Sequence, residues 1–285
     1  MKKIISGSNS KIVRLKGKLT VPDLRAGKTR KLSVDLFIHD GASFLAFKQL
    51  LEKPDDYNSY MCLASRIPAN GLCVNGTDII KPNDLFAKAF GLVNQSNLNP
   101  EIKFFLLACI MTNMAILLSQ DEQIVLGNQK VNKQDLAMCA MKLCPDYSLP
   151  YRVLADSLEP GQRVFDRVGK KELYIQAYTA KIAQELIIPA NDIDVKNPSA
   201  SNLTKTGLVD YYEDLFKKIK ANLGPNEHVQ ETVGMASITW LCRAAHFIFT
   251  DYGTYPQFLD SEPNTISIVK QLKDGSQTVK RYPHN

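Results

Sequence analysis

Three stretches of this chain carry the same apolar stripe. Tyr60, Leu63, Ala64 and Ile67 are spaced 0, 3, 4, 7, and so are Phe104, Leu107, Ala108 and Met111, and Tyr151, Leu154, Ala155 and Leu158. Residues three and four apart share one face of a helix, so each set forms a packing stripe headed by a large anchor. A second helix type alternates with the first, in the pairs Leu85 and Ala89, Leu136 and Ala140, and Leu173 and Ala177; Leu45 heads an earlier copy. Pro54 and Pro145 each lie six residues before an anchoring tyrosine, where the missing backbone donor ends the preceding helix. The connectors match as well. Val74, Gly76, Ile80, Asp84 and Leu85 align without gaps with Val125, Gly127, Val131, Asp135 and Leu136, and a third connector around Val168 and Gly169 is shorter. The anchors are 44 and 47 residues apart. One helical hairpin cannot bury its stripe alone, so this period implies hairpins stacked on one another.

The ends differ from the middle. Val13, Leu15, Leu19 and Val21 are apolar at odd positions, and Leu32, Val34, Leu36 and Ile38 at even ones. Period-two alternation predicts two strands, each with one buried face. Pro189 to Thr206 reads as a linker or long loop. Val209 to Leu223 then carries Tyr212, Leu215, Phe216 and Ile219 on one face, and a second helix is expected from Glu227 to Phe249. Both would cap the open end of the stack. Thr265 to Tyr282 reads as a hairpin around a type I′ turn at Asp274-Gly275. The two terminal ribbons are expected to pair with each other, because free strand edges are a liability.

The stripe of Tyr60, Leu63 and Ala64 resembles the first helix of a tetratricopeptide repeat, and Ala140 followed by Pro145 resembles the end of its second helix. The period exceeds the family's usual value of about 34 residues, with the excess between the two helices. This is similar to the long-loop tetratricopeptide-like repeats found in proteins of intracellular bacteria. The resemblance covers residues 44–188. The expected fold is therefore mostly α: a short tetratricopeptide-like α-solenoid with β ribbons at the N- and C-termini. Its parts would be a basic β ribbon (1–40), helical repeats (41–190), and a linker with capping helices and a C-terminal hairpin (191–285).

The resemblance also implies function. The inner face of the first helices binds peptides in this family, which marks an adaptor holding a peptide or partner helix. Carried over from each anchor, that face shows Asn58, Met61 and Ser65; then Ile102, Phe105 and Cys109; then Leu149, Arg152, Asp156 and Glu159. The middle set is apolar, and either takes an apolar peptide side chain or lies under a C-terminal helix. The resemblance further implies a bacterial protein, acting in the cytoplasm of a host cell as an effector, although the sequence shows no export signal.

Charge supplies a second binding candidate. The formal net charge is +6, but residues 1–31 hold ten Lys or Arg against one Asp, and residues 32–265 are net negative. Arg14, Lys16, Lys18, Arg25, Lys28, Arg30 and Lys31 would attract an anionic membrane surface or a nucleic acid. No aromatic residue lies within residues 1–31, which disfavours stacking on single-stranded bases.

Signs of catalysis are weak. Cys242 and His246 stand four apart on a predicted helix, the spacing of two metal ligands or a thiol–imidazole pair, and an enzyme site there is the alternative function. No second ligand pair accompanies them, so a packing pair is the simpler reading, and no metal, cofactor or catalytic set is expected. Neither phosphate-loop motif occurs, nor G-x-S-x-G, nor H-E-x-x-H. Asp55-Asp56 and Glu213-Asp214 suit caps and solvated faces better than catalytic dyads. The cluster Phe247, Phe249, Tyr252, Tyr255 and Phe258 is expected in a core. Six cysteines without a C-x-x-C pair suit reduced, buried thiols. The N-terminus lacks the apolar stretch of a secretory signal. Phe104 to Leu118, with Thr112 and Asn113, falls short of the roughly 20 residues of a membrane span and is expected to be a core helix.

Overall fold

A computed structural model describes residues 13–38, 41–165, 167–180, 211, 214–232 and 265–282. The fold is mostly α-helical, with small antiparallel sheets towards both termini. Two compact units divide it. The first contains residues 1–103 and 123–131, and the second contains residues 104–122 and 132–285.

In the first unit, strands β1 (Val13–Asp23) and β2 (Lys28–Ile38) pair along their full length, with Leu15 opposite Leu36 and Leu19 opposite Leu32. The alternation in sequence sets the two faces. Leu15, Leu19, Val21, Leu32, Val34 and Leu36 are buried, while Arg14, Lys16, Lys18, Lys31 and Ser33 are exposed on the other side. The turn between the strands needs Gly27 at φ 63°, and Asp23 accepts the N–H groups of Arg25 and Ala26 there. The inner face packs on α1 (Gly41–Glu52) and α3 (Pro82–Gln95). A side chain at Gly17 would run into Leu51, so the glycine permits that close approach. The ribbon is thus part of a larger unit rather than a domain ending near residue 40.

Helix α2 (Tyr57–Ala64) packs between α1 and α3. Phe47, Leu50, Tyr60, Leu63, Leu85 and Phe86 form this unit's fully buried centre. Leu45, expected to head a helical stripe, is instead 56% exposed. The buried stripe of α1 starts one residue later, at Ala46, Phe47 and Leu50.

In the second unit, α5 (Lys133–Leu143) packs on α6 (Ser148–Ser157), and α6 on α7 (Lys170–Thr179). Helix α4 (Pro100–Leu117) lies within this unit from residue 104 onwards. Its expected anchor, Phe104, is 46% exposed. Leu107 and Ala108 of the expected stripe are buried, joined by Leu106, Ile110 and Met114, while Phe104 stays outside the packed face and Met111 is half-buried. By length and composition α4 could cross a membrane, and it is the one such helix among the described residues. Here it packs Ala108 and Cys109 against Ala140 and Tyr147, as a core helix does.

The connectors repeat in three dimensions. Each second helix follows a short β turn and starts with a carboxylate that caps it. Strands β3 (Leu72–Cys73) and β4 (Ile79–Ile80) enclose Gly76 at φ 86°, and β5 (Gln123–Leu126) and β6 (Gln129–Asn132) enclose Gly127 at φ 63°. The third connector keeps only one bridge, Val164 to Val168, with Phe165 in the left-handed region. Asp84 then accepts the Lys81 N–H at 3.1 Å, Asp135 the Asn132 N–H at 3.0 Å, and Glu172 the Gly169 N–H at 3.1 Å. These three acids satisfy donors that a helix start leaves unpaired.

Near the C-terminus, Tyr211 and residues 214–221 are helical (α8). β7 (Glu227–Thr232) pairs with β8 (Thr265–Gln271), and β8 with β9 (Gln277–Tyr282). Residues 227–232 are therefore strand rather than the start of a second capping helix. The β-branched Val229 and Thr232 suit a strand, and β8 supplies the ladder. The expected hairpin is present, but its turn is not type I′. Only Gly275 has positive φ (83°), Gly275 N–H donates to Leu272 and Leu272 N–H to Ser276, which makes a three-residue loop with glycine in the left-handed position. The N-terminal strands pair with each other and the C-terminal strands with β7, so the ribbons occupy separate sheets.

Candidate functional site

Helix α6 carries two of the residues expected to face a peptide, Arg152 and Asp156. They are one helical turn apart, 3.7 Å between charged atoms. Both are engaged by α8. Arg152 Nη2 donates to Asp214 Oδ2 at 2.7 Å, and its guanidinium lies 4.8 Å over the Tyr211 ring. Lys218 Nζ donates to Asp156 Oδ1 at 2.7 Å and sits 3.6 Å from Asp214. The Tyr174 hydroxyl of α7 donates to the same Asp156 oxygen at 2.7 Å. Burial, then this hydrogen bond to a carboxylate, raises the Tyr174 pKa, so Tyr174 stays a neutral donor at physiological pH.

The apolar contacts sit beside this network. Leu215 and Ile219 are fully buried, and Phe216 lies 6.1 Å from Tyr178 between ring centroids. At the other end, the Ser148 hydroxyl donates to Ala177 O at 2.6 Å. Its single proton is then used, so the Tyr211 hydroxyl, 2.9 Å away, donates to it. The α6–α7 face therefore receives one amphipathic helix through Tyr211, Asp214, Leu215, Lys218 and Ile219. These fall at spacings 0, 3, 4, 7 and 8, one side of a helix. Two cations and two carboxylates alternate across the contact, which leaves the face neutral and fixes the helix in register.

The corresponding residues of α2 are differently placed. Asn58 and Ser65 are exposed and Met61 is half-buried. Ser65 caps the helix end, its hydroxyl donating to Met61 O at 2.9 Å. Beneath them the helix is rigidly seated. Asp56 is its N-cap, accepting from the Ser59 N–H at 3.3 Å and from the Ser59 hydroxyl, as the sequence reading of this acid implied. Buried Tyr60 has its pKa pushed up to about 12, by desolvation first and Asp55 second.

Two expected peptide contacts behave otherwise. Phe105 is half-buried, packs edge-to-face on Tyr147 at 5.8 Å, and joins the cluster of Ala108, Cys109 and Ala140. It serves packing. Glu159 lies past the end of α6 and its N–H donates to Gln162 at 2.8 Å; its side chain is in an exposed turn.

The basic ribbon resolves into separate roles. Arg14 binds both oxygens of Asp35 at 2.8 Å, and Lys16 approaches the same carboxylate at 3.7 Å. Arg30, expected among the anion contacts, is instead on the inner face. It donates to Asp84 Oδ2 at 2.7 Å and to Ile79 O at 2.8 Å. The period-two register explains this: Arg30 shares its side of β2 with Leu32, Val34 and Leu36. Lys18 and Lys31 are exposed and make no ion pair among the described residues; Lys28 and Arg25 lie at the turn.

Cys242, His246 and the aromatic residues 247–258 lie outside the described residues. Among the described residues, no three His, Cys, Asp or Glu side chains gather as a metal site would require. Tyr174, Tyr211 and Lys218 were not marked as site residues from sequence, and Asp214, expected on a cap or solvated face, instead pairs with Arg152 and Lys218. The signal was available: Tyr212, Leu215, Phe216 and Ile219 repeat the 0, 3, 4, 7 stripe, and Asp214 and Lys218 form a charge pair four apart. No protein-family model, no curated protein and no solved structure matches this chain.

Proposed function

We propose that this protein is a non-enzymatic interaction module, a tetratricopeptide-like α-solenoid that holds helical or peptide segments of a partner on its first-helix faces. One observation carries this reading. The face of α6 marked by Arg152 and Asp156 is already filled by an amphipathic helix, α8, with matched charges and two buried anchors. On this reading α8 occupies the place of a further first helix, continuing the stack, and shows what such a face accepts. The α2 face, with Asn58, Met61 and Ser65 at its surface, takes the partner segment. Burying Met61 in an apolar pocket of the partner, with Asn58 and Ser65 at its rim, is the mode by which helices dock into grooves. The resemblance to repeats of intracellular bacteria makes a role as a delivered adaptor in a host cytoplasm part of the same proposal.

The test is a selection of random peptides against the full chain, followed by binding to Asn58→Arg/Met61→Glu. Selected peptides should lose at least tenfold in affinity on that variant and keep it on Lys142→Gln. Peptides that bind both forms equally would remove the α2 face from the proposal.

A further inference from the structure

We infer that the outward face of the β1–β2 ribbon is a docking surface for an anionic lipid bilayer. Strand alternation puts Arg14, Lys16, Lys18 and Lys31 on one side of the ribbon, with Asp35 as the acid among them. Arg14 and Asp35 neutralise each other. Lys16 keeps 62% of its side chain exposed beside that pair, and Lys18 and Lys31 are exposed without an ion-pair partner among the described residues. Lys28 is exposed at the turn but falls on Arg30's side of β2, so the outward stripe is Lys16, Lys18 and Lys31.

The build of the ribbon selects the partner. Its inner face is buried against α1 and α3, so only one side is on offer. A helix-backed ribbon can lie in a DNA major groove and read bases through its outward side chains; here the cations among those side chains are chiefly lysines, which suit non-specific phosphate attraction, so duplex DNA is the rival ligand in the test. The ribbon holds one aromatic residue, Phe37, opposite Arg14 at its end, so it offers no series of platforms for successive stacked bases. The outward polar residues Thr20 and Ser33 are exposed and form no enclosed phosphate pocket. What remains is additive, planar attraction between lysines and acidic headgroups, which needs neither register nor pocket. The interior pairing of Arg30 with Asp84 holds the ribbon to α3, so the lysine face is displayed on a fixed scaffold.

The test is co-sedimentation of the full chain with vesicles of phosphatidylcholine containing phosphatidylserine, or of phosphatidylcholine alone. The chain should pellet with the acidic vesicles at low salt, and binding should fall steeply by several hundred millimolar salt. Lys16→Gln/Lys18→Gln/Lys31→Gln should weaken binding roughly 100-fold, at about 1 kcal/mol per lysine near the surface. Lys130→Gln/Lys142→Gln/Lys273→Gln, which changes net charge equally at exposed positions elsewhere, should weaken it by less than fivefold. Circular dichroism of both triple variants checks that they fold. Equal binding to neutral vesicles, no binding to acidic ones, equal loss in the two triple variants, or tighter binding of duplex DNA than of vesicles at the same phosphate concentration would each overturn the inference.

Discussion

Among the described residues, each unit fastens a β element to a helix with one ion pair, and the two pairs have the same length. Arg30 of β2 meets Asp84 of α3 at 2.7 Å in the first unit, and Lys171 of α7 meets Glu227 of β7 at 2.7 Å in the second. Their electrostatics differ in sign. Asp84 is 6% exposed, and its desolvation outweighs the help of the Lys81 N–H and of Arg30, so its pKa is raised. Glu227 receives the Lys171 ammonium and the Gly224 N–H, which outweigh a smaller desolvation, so its pKa is lowered. Distance alone does not distinguish a pair that stabilises from one that only compensates for burial; the solvent around it does.

The largest expected effect breaks the first pair. Arg30→Met leaves the Asp84 charge buried without its cation and should cost about 3–5 kcal/mol at neutral pH, read by chemical denaturation. Leu215→Ala probes the other way of fastening, by apolar burial, and should cost about 2–5 kcal/mol while leaving the first unit's circular dichroism unchanged. Lys171→Met leaves Glu227, which is less desolvated than Asp84, still holding the Gly224 N–H, and should cost about 1–2 kcal/mol. If Lys171→Met costs as much as Arg30→Met, the contrast between the units is wrong.

Acid sharpens the comparison. Asp84, with its raised folded pKa, contributes stability that is complete below the ordinary aspartate value of about 4 and is lost as pH rises through the folded value. Glu227, with its lowered folded pKa, contributes stability that is complete above the ordinary glutamate value of about 4.3 and is lost as pH falls through the folded value. From pH 6 to pH 3, wild type should therefore gain stability relative to Asp84→Asn and lose it relative to Glu227→Gln. Parallel slopes would show that the two carboxylates sit in equivalent surroundings. The smallest effect is at the third connector: Phe165→Gly relieves a left-handed φ of 51° and should be neutral or stabilise by up to about 1 kcal/mol.

Much of this was legible in the residues. The stripes of α2 and α6, the aligned acids Asp84 and Asp135, and the two faces of the ribbon follow from local spacing alone. Glu172 was missed as the third capping acid because the shortened connector hid its alignment. The role of Arg30 was readable from its even position on the apolar side of β2, but a count of basic residues treats all cations alike. The strand at 227–232 depends on pairing with β8, nearly 40 residues further on, and no local pattern carries that. Arg152 and Asp156 were expected to meet a peptide; that they pair with α8, more than fifty residues later in the same chain, is tertiary information.

The central claim is that first-helix faces are binding faces, filled on α6 and open to a partner on α2. Affinity capture with the full chain and with Asn58→Arg/Met61→Glu, quantified side by side, tests it most directly. The account predicts that the partner retained by wild type falls at least tenfold with the variant, while Arg152→Met, whose face is already occupied, retains it. Unchanged capture by the α2 variant, with loss by Arg152→Met instead, would contradict it.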